Sequence, residues 1–463
     1  MKKLLLTAVI LCILLSIGIV LHRMTLNTTS EGCIQLWDFY RLPEETVDVL
    51  FVGSSHVYYS YNTCQMYEDY GLAAYLLASP GQPVWISYYM IEEALKTQEP
   101  KLIVFDACTL YQRDSKFSSL SWESLISMKP SLTKWKAIQA SSGGDDGMDR
   151  AGAFFSFPYY HTRYSELEKN DYKNTDRLRY NGYKPDFQKI PKSDLVRWKD
   201  VDKENFDQIR PVSERTEKYL RMLIELCQNR KIPLVIVNSP YLNHMEEKQT
   251  AYNYVSLIAD EYGVPYVDAN EDIDEIQIDY ANDMLDVSHL NYYGGIKYTN
   301  YFSKWLTENY TLPDRRNDER YRHWTDVSVL FWHSQLNAKR LKSIQDFGKY
   351  METLRDTPDS LVVTYHSPGG ETAVYEDGQM VYSHMGDSDF QKHFDLGGSD
   401  LAVSGSSGTV RIMLDKKEYL YVEQGMNVLV YDKVAQQRVD GVGFDETEGG
   451  KAVRKRIRKS KIA

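Results

Sequence analysis

The sequence predicts an α/β fold, a parallel sheet covered by helices and interrupted by a helical insertion, followed by a C-terminal α+β or β-rich domain. Three features carry this. Short apolar, β-branched runs such as Val47–Val52, Lys101–Phe105 and Pro233–Asn238 are each closed by Gly, Asp or Ser, as buried strands are. Segments of helical period lie between them, and that alternation produces a parallel sheet with helices on both faces. From Pro313 onward apolar runs are instead separated by Gly/Asp turns.

Taken in order, Leu4–Leu21 is an uncharged apolar run preceded by Lys2 and Lys3. It has about the length that crosses a bilayer, and the flanking lysines place the N-terminus in the cytoplasm and the rest of the chain outside. Residues 1–23 are therefore expected to be a single-pass transmembrane anchor at the cell membrane. A cleaved signal peptide is the competing reading, against which His22-Arg23-Met24 offers no small-residue cleavage site.

Residues 24–312 hold the α/β domain. The first strand ends in Gly53-Ser54-Ser55. Ala73–Ala78 is a second short strand, ending in Ser79-Pro80-Gly81-Gln82-Pro83, and Val84–Thr97 a helix. Lys101–Phe105 is the third strand. The rhythm then breaks: 112–212 contains no strong strand and carries the aromatic segment Phe154–Tyr164, an excursion of the size of an inserted cap. Regularity returns at Ser213, an N-cap for a helix with Leu220, Leu223, Ile224 and Cys227 on one face. Pro233–Asn238 is the next strand, Glu246–Tyr262 a helix, Val264–Val267 a last short strand and Gly294–Leu306 the closing helix. In 313–463, Leu341–Leu354 reads as a helix, and Leu361–Tyr365, Val410–Leu414, Tyr419–Val422 and Asn427–Tyr431 read as strands of an accessory domain.

Composition narrows the function. The chain is 463 residues long with a net charge of -11, which argues against nucleic acid as a partner. Its 36 tyrosines suit wet or carbohydrate-facing surfaces as well as half-buried packing. Five scattered cysteines describe neither a disulfide framework nor a metal site, because no CxxC or Cys/His pair stands at ligand spacing. No metal or other cofactor is expected.

A hydroxyl in the turn after the first strand of an open α/β sheet points into the crevice beyond the carboxyl ends of the strands. Ser55 stands there, and a serine needs a base. Asp286 precedes His289 by three residues in DMLDVSH, close enough for one loop to present a carboxylate to Nδ1 and leave Nε2 free for a proton. Gly81, after the second strand, leaves an unobstructed N–H that could join that of Ser55 around an oxyanion. A plain Pro-Gly turn is the alternative. Gln82, Thr109, His161 and Arg163 are candidates for substrate binding, with cap-to-sheet packing the other role for the last two. His56 would face away from Ser55 if the strand continued.

These stations, Gly53-Ser54-Ser55, Gly81 and Asp286-x-x-His289, resemble in order and placement the SGNH/GDSL hydrolase superfamily over about Thr46–Leu306. The resemblance implies a flavodoxin-like three-layer domain, with Ser55 as nucleophile, His289 as general base, Asp286 as orienting carboxylate, and Ser55 and Gly81 as oxyanion donors. Two departures stand out. Ser54 replaces the motif aspartate, leaving a second serine as a rival, and the third-strand station reads Phe105-Asp106-Ala107-Cys108-Thr109 with no asparagine. With the N-terminal anchor and the insertion, the chain is similar to membrane-anchored SGNH-like proteins of the alginate O-acetyltransferase and teichoic-acid D-alanylation types. That branch implies transfer of an acyl group, most simply acetyl, onto a cell-surface or exported polysaccharide, with a membrane-bound O-acyltransferase as partner. An esterase acting on carbohydrate or lipid, and a catalytically inactive scaffold or glycan-binding protein, are the alternatives.

Overall fold

The computed structural model describes residues 31–112, 124–142, 150–155, 180–198, 204–332, 341–355 and 360–455, with short gaps in the last span, and scattered positions within 5–18. The chain divides into two compact units, Met1–Ser328 and Val329–Ala463.

The first unit is built on β1 (Val49–Gly53), β2 (Ala74–Ala78), β3 (Leu102–Asp106), β4 (Leu234–Asn238) and β5 (Tyr266–Asp268), all parallel and in the order β2-β1-β3-β4-β5. This is the doubly wound order of flavodoxin-like sheets, whose crevice opens where the winding reverses, between β1 and β3. The helices that concern the site are α1 (Cys33–Phe39), α2 (Ser55–Ser60), α3 (Thr63–Tyr70), α4 (Val84–Ala94), α5 (Leu132–Ser142), α6 (Glu214–Arg230), α7 (Glu246–Glu261) and α8 (Tyr292–Asn309). Strand side chains alternate between faces. Leu50 and Val52 join Ile103, Phe105 and Ile236 in a core with Ile86 and Met90 of α4 and Leu220 and Leu223 of α6. Phe51 points the other way, onto Tyr61 and Phe302 of α8, 4.5 and 6.2 Å between ring centres. The sheet is thus buried on both faces, which is why its strands read as continuous apolar runs.

Several boundaries differ from the sequence expectations. The helix after Pro83 stops at Ala94 rather than Thr97, and the last strand is Tyr266–Asp268 rather than Val264–Val267. The closing helix starts earlier, because Asn291 caps it by accepting the N–H groups of Tyr293 and Gly294, and it runs on to Asn309. Ser213 caps α6 as its residue type predicts, accepting from Thr216 N. Within 112–212 the described residues contain helices and no strand, among them α5, Arg150–Phe155 and Lys192–Trp198. The first unit extends past the change of composition at Pro313. Arg315 forms a two-pronged ion pair with buried Asp48 at 2.7 and 2.9 Å, and the Trp324 indole N–H donates to Ala74 O at 3.2 Å.

The second unit contains two antiparallel sheets. One runs β15-β14-β13-β6-β7-β8, with β6 Ser360–Ser367, β7 Thr372–Glu376, β8 Gln379–His384, β13 Gly425–Asp432, β14 Gln437–Asp445 and β15 Lys451–Val453. The other runs β12-β11-β10-β9, with β9 Phe390–Asp395, β10 Asp400–Ser406, β11 Thr409–Leu414 and β12 Lys417–Tyr419. Leu361, Val363 and Tyr365 of β6 pack on Leu401, Val403 and Ile412 of the smaller sheet. Val362 faces the other way, toward Tyr350 and Leu354 of α9 (Phe347–Arg355). The helix expected over Leu341–Leu354 is thus centred further on. The strand expected over Tyr419–Val422 ends at Tyr419, because the Asn427 side chain takes the N–H groups of Tyr421 and Val422.

Among the described residues no helix is long and apolar enough to cross a membrane. The run Leu4–Leu21 is described only in part.

Candidate functional site

β1 stops at Gly53, Ser54 takes the N-cap position with extended backbone, and Ser55 is the first residue of α2. Val57 N donates to Ser54 O at 3.0 Å, while the N–H groups of Ser55 and His56, at the very start of the helix, have no carbonyl four residues back within it, so this turn presents a hydroxyl and backbone donors at the crevice. From the far end of the unit comes the loop between the short helix Tyr280–Asp283 and α8. It is closed by a bridge between Met284 and Leu290 and by Leu285 N donating to His289 O at 2.9 Å. Asn291 secures it further, its amide donating to the carbonyls of Asn282, Met284 and Gln188 at 2.7, 3.2 and 3.1 Å.

The two segments meet with His289 Nε2 2.7 Å from Ser55 Oγ, while His289 Nδ1 lies 3.0 and 2.9 Å from the two oxygens of Asp286. The same carboxylate accepts the backbone N–H groups of Ser288 and His289 through Oδ1, at 2.7 and 3.0 Å. Burial works to raise its pKa, but the bond and charge of His289 and the two N–H groups outweigh it and hold the carboxyl below its usual range.

The structure brings Ser55, His289 and Asp286 together. Ser54 is buried at 2% exposure. The turn bearing Gly81 adjoins the end of β1, Ser79 N donating to Gly53 O at 3.4 Å, and Gly81 sits at φ +58 with open space where a Cβ would project. Gln82 and Thr109 are committed internally. The buried Gln82 amide accepts from Ser79 Oγ at 2.9 Å and donates to Ser87 Oγ at 3.0 Å, and Thr109 Oγ1 donates to Gln82 O at 2.9 Å. Both hold the turn that carries Gly81 in place. His161 and Arg163 lie outside the described residues.

Asp106, at the third-strand station, is buried and accepts from Ser239 Oγ at 2.9 Å and Cys108 N at 3.1 Å. Burial raises its pKa to about 6 against those bonds. Ser239 Oγ also lies 3.3 Å from Tyr61 OH, which is 3.0 Å from Tyr298 OH.

His56 corrects an expectation. The strand ends at Gly53 and a helix begins, so His56 does not turn away: its ring centre is 5.2 Å from that of His289. Burial, then the charges of His289 and Lys248, hold its pKa well below the ordinary imidazole value. Tyr59 lies 5.0 Å from the His289 ring and under Lys184 Nζ at 5.3 Å, and Lys184 pairs with Glu31 at 3.0 Å. Tyr59 was discoverable, since residues i and i+4 share a helix face; Lys184 and Asn291 carried no local signal. His56, Asp106 and Cys108, all buried, each bring one potential metal-ligand atom within 4.8 Å of the others.

No family model matches the chain, and no curated protein matches it significantly. Among solved structures it is similar to a protein of Bacteroides fragilis described as a candidate acylhydrolase, with 13% identity and a TM-score of 0.30 over 59% of this chain and 94% of that one.

Proposed function

We propose that the chain is a serine-dependent acyl-ester enzyme of the SGNH kind, working through an acyl-Ser55 intermediate. The observation that carries this is the continuous line from Ser55 Oγ to His289 Nε2 at 2.7 Å and from His289 Nδ1 to Asp286 at 2.9 Å. An ionised carboxylate only accepts hydrogen bonds, so Nδ1 bears the imidazole proton and Nε2 is left to receive that of Ser55. Ser55 Oγ forms a bond to the ester carbonyl carbon as His289 Nε2 takes its proton. Collapse of the tetrahedral species breaks the bond to the leaving alcohol, which recovers that proton. Water or a second alcohol, deprotonated by the same nitrogen, then releases the acyl group. The Ser55 N–H and Gly81 N–H are the donors proposed for the oxyanion. Asp106, a carboxylate tied to Ser239, does not take the place of the absent asparagine.

The acceptor separates two readings. The Asp286 side chain is 45% and that of His289 20% exposed, an openness that favours water and hence ester hydrolysis. The apolar run Leu4–Leu21 favours the second, an anchored extracytoplasmic enzyme that passes the acyl group to a polysaccharide hydroxyl with a membrane-bound O-acyltransferase as partner.

The test is intact mass after incubation with p-nitrophenyl acetate, beside Ser55→Ala and His289→Ala. An acetyl adduct that disappears in Ser55→Ala is expected, with a lifetime shortened by glycan if transfer operates. A folded parent that neither acquires the adduct nor releases p-nitrophenol overturns the proposal.

A further inference from the structure

Behind Ser55, at the carboxyl ends of β1 and β3, three side chains of different chemistry converge where the sheet's winding reverses. His56 is 3% exposed, Asp106 1% and Cys108 8%, and one ligand atom from each lies within 4.8 Å of the others. His56 Nδ1 is buried without a hydrogen-bond partner among the described residues. A buried polar atom left so is costly, and proteins seldom leave one without a reason. Ser54 Oγ, also buried, lies against the Cys108 thiol. Asp106 accepts from Cys108 N through Oδ1 and from Ser239 Oγ through Oδ2, and the Ser239 backbone N–H bonds the same carboxylate, which leaves it one of its four lone pairs.

We infer that His56, Asp106 and Cys108 form a binding site for a divalent zinc-type cation, with Ser54 Oγ or a water as fourth ligand. An imidazole nitrogen, a thiolate and a carboxylate are the donor set that zinc accepts, in tetrahedral geometry at about 2.0–2.3 Å. Those bond lengths put neighbouring ligand atoms about 3.3–3.8 Å apart, so side chains within 4.8 Å of one another need only small rotations to close on an ion. On binding, the Cys108 thiol releases its proton to solvent and the sulfur becomes a thiolate ligand, while His56 binds in its neutral form. Together with Asp106, the thiolate balances the two charges of the ion. Lys248 faces the same cluster and opposes a cation there; its ammonium is directed to Asn243 Oδ1 at 2.8 Å and lies over the rings of Tyr111 and Tyr241, 5.3 and 4.7 Å to their centres. The spacing of these residues gives no sequence signature, because His56 follows one strand while Asp106 ends another and Cys108 follows it.

The site does not depend on the acyl-enzyme reading, and its test is kept separate from it. The full-length chain, stripped with chelator and shown folded by circular dichroism, is titrated with cobalt(II) and then competed with zinc, while bound metal is counted by elemental mass spectrometry. The expected result is about one equivalent of metal with a near-ultraviolet thiolate-to-cobalt absorption, lost in Cys108→Ser and weakened about tenfold or more in His56→Ala. Ser55→Ala should bind as the parent does. Absence of stoichiometric metal from the folded parent, absence of the thiolate absorption, or undiminished binding by Cys108→Ser overturns the inference.

Discussion

Replacing Asp286 with asparagine tests the proposed chemistry at its orienting group. Oδ1 accepts from Ser288 N at 2.7 Å and His289 N at 3.0 Å, and His289 Nδ1 lies 3.0 Å from Oδ1 and 2.9 Å from Oδ2. Two backbone donors aimed at Oδ1 require an oxygen there, because an amide NH2 in that place would meet two N–H groups head on. In Asp286→Asn the NH2 therefore takes the Oδ2 position and faces Nδ1. A bare Nδ1 can accept from it only if the ring proton moves to Nε2, which then cannot take the Ser55 proton. The loop itself should stay folded, since both backbone bonds survive. The expected loss in kcat/KM for p-nitrophenyl acetate is about 10⁴-fold, the size found when a triad is locked in the wrong tautomer, or about 5.5 kcal/mol. Asp286→Ala imposes no tautomer and opens a space on a side chain 45% exposed, where water can accept from Nδ1. The alanine variant should therefore be the more active of the two. Acylation rates from stopped-flow release of p-nitrophenol, with circular dichroism as the folding control, decide it. An asparagine variant within about tenfold of the parent, or one more active than the alanine variant, refutes the reasoning.

Three further outcomes follow from packing and burial. Arg315→Ala leaves the Asp48 carboxylate, 3% exposed, buried without its partner, and should cost about 3–5 kcal/mol in urea denaturation; Arg315→Lys should recover only part of it, because a single ammonium cannot make both bonds. Lys134 is buried with its ammonium donating to Ile126 O at 2.8 Å, and burial lowers its pKa from 10.5 to about 7. The unfolded chain therefore binds more protons between those values, and the parent should gain stability relative to Lys134→Met as pH rises from about 7 to about 10. Denaturation midpoints of the two proteins at pH 6 and pH 10 check the sign, with the methionine variant the more stable at pH 6. Gly81→Ala meets no atom within 4 Å but must hold φ +58, so its cost should be that of the left-handed backbone alone, about 1 kcal/mol; a much larger loss in chemical denaturation would contradict the open space seen there.

The first four sheet strands were legible from their apolar runs, β-branched in all but the second, because a strand buried on both faces has little choice of residue. Their ends were less so, since caps and terminal hydrogen bonds such as those of Asn291 and Asn427 depend on partners that local composition does not reveal. The change at Pro313 marked a change of composition and not the end of the packed unit, because Arg315 and Trp324 reach back to Asp48 and Ala74, contacts no local pattern encodes.

Sequence alone determined that Ser55 follows a strand and that Asp286 and His289 share a loop, because adjacency in the chain confines them to a few ångströms. Only the tertiary structure decided that His289 Nε2 reaches Ser55 Oγ across 234 residues of separation, that helix rather than strand follows Gly53 and brings His56 beside His289, and that Gln82 and Thr109 spend their polar groups inside the protein. Each of these depends on where strands lie side by side and on what a buried polar atom meets, and neither is written in spacing along one chain.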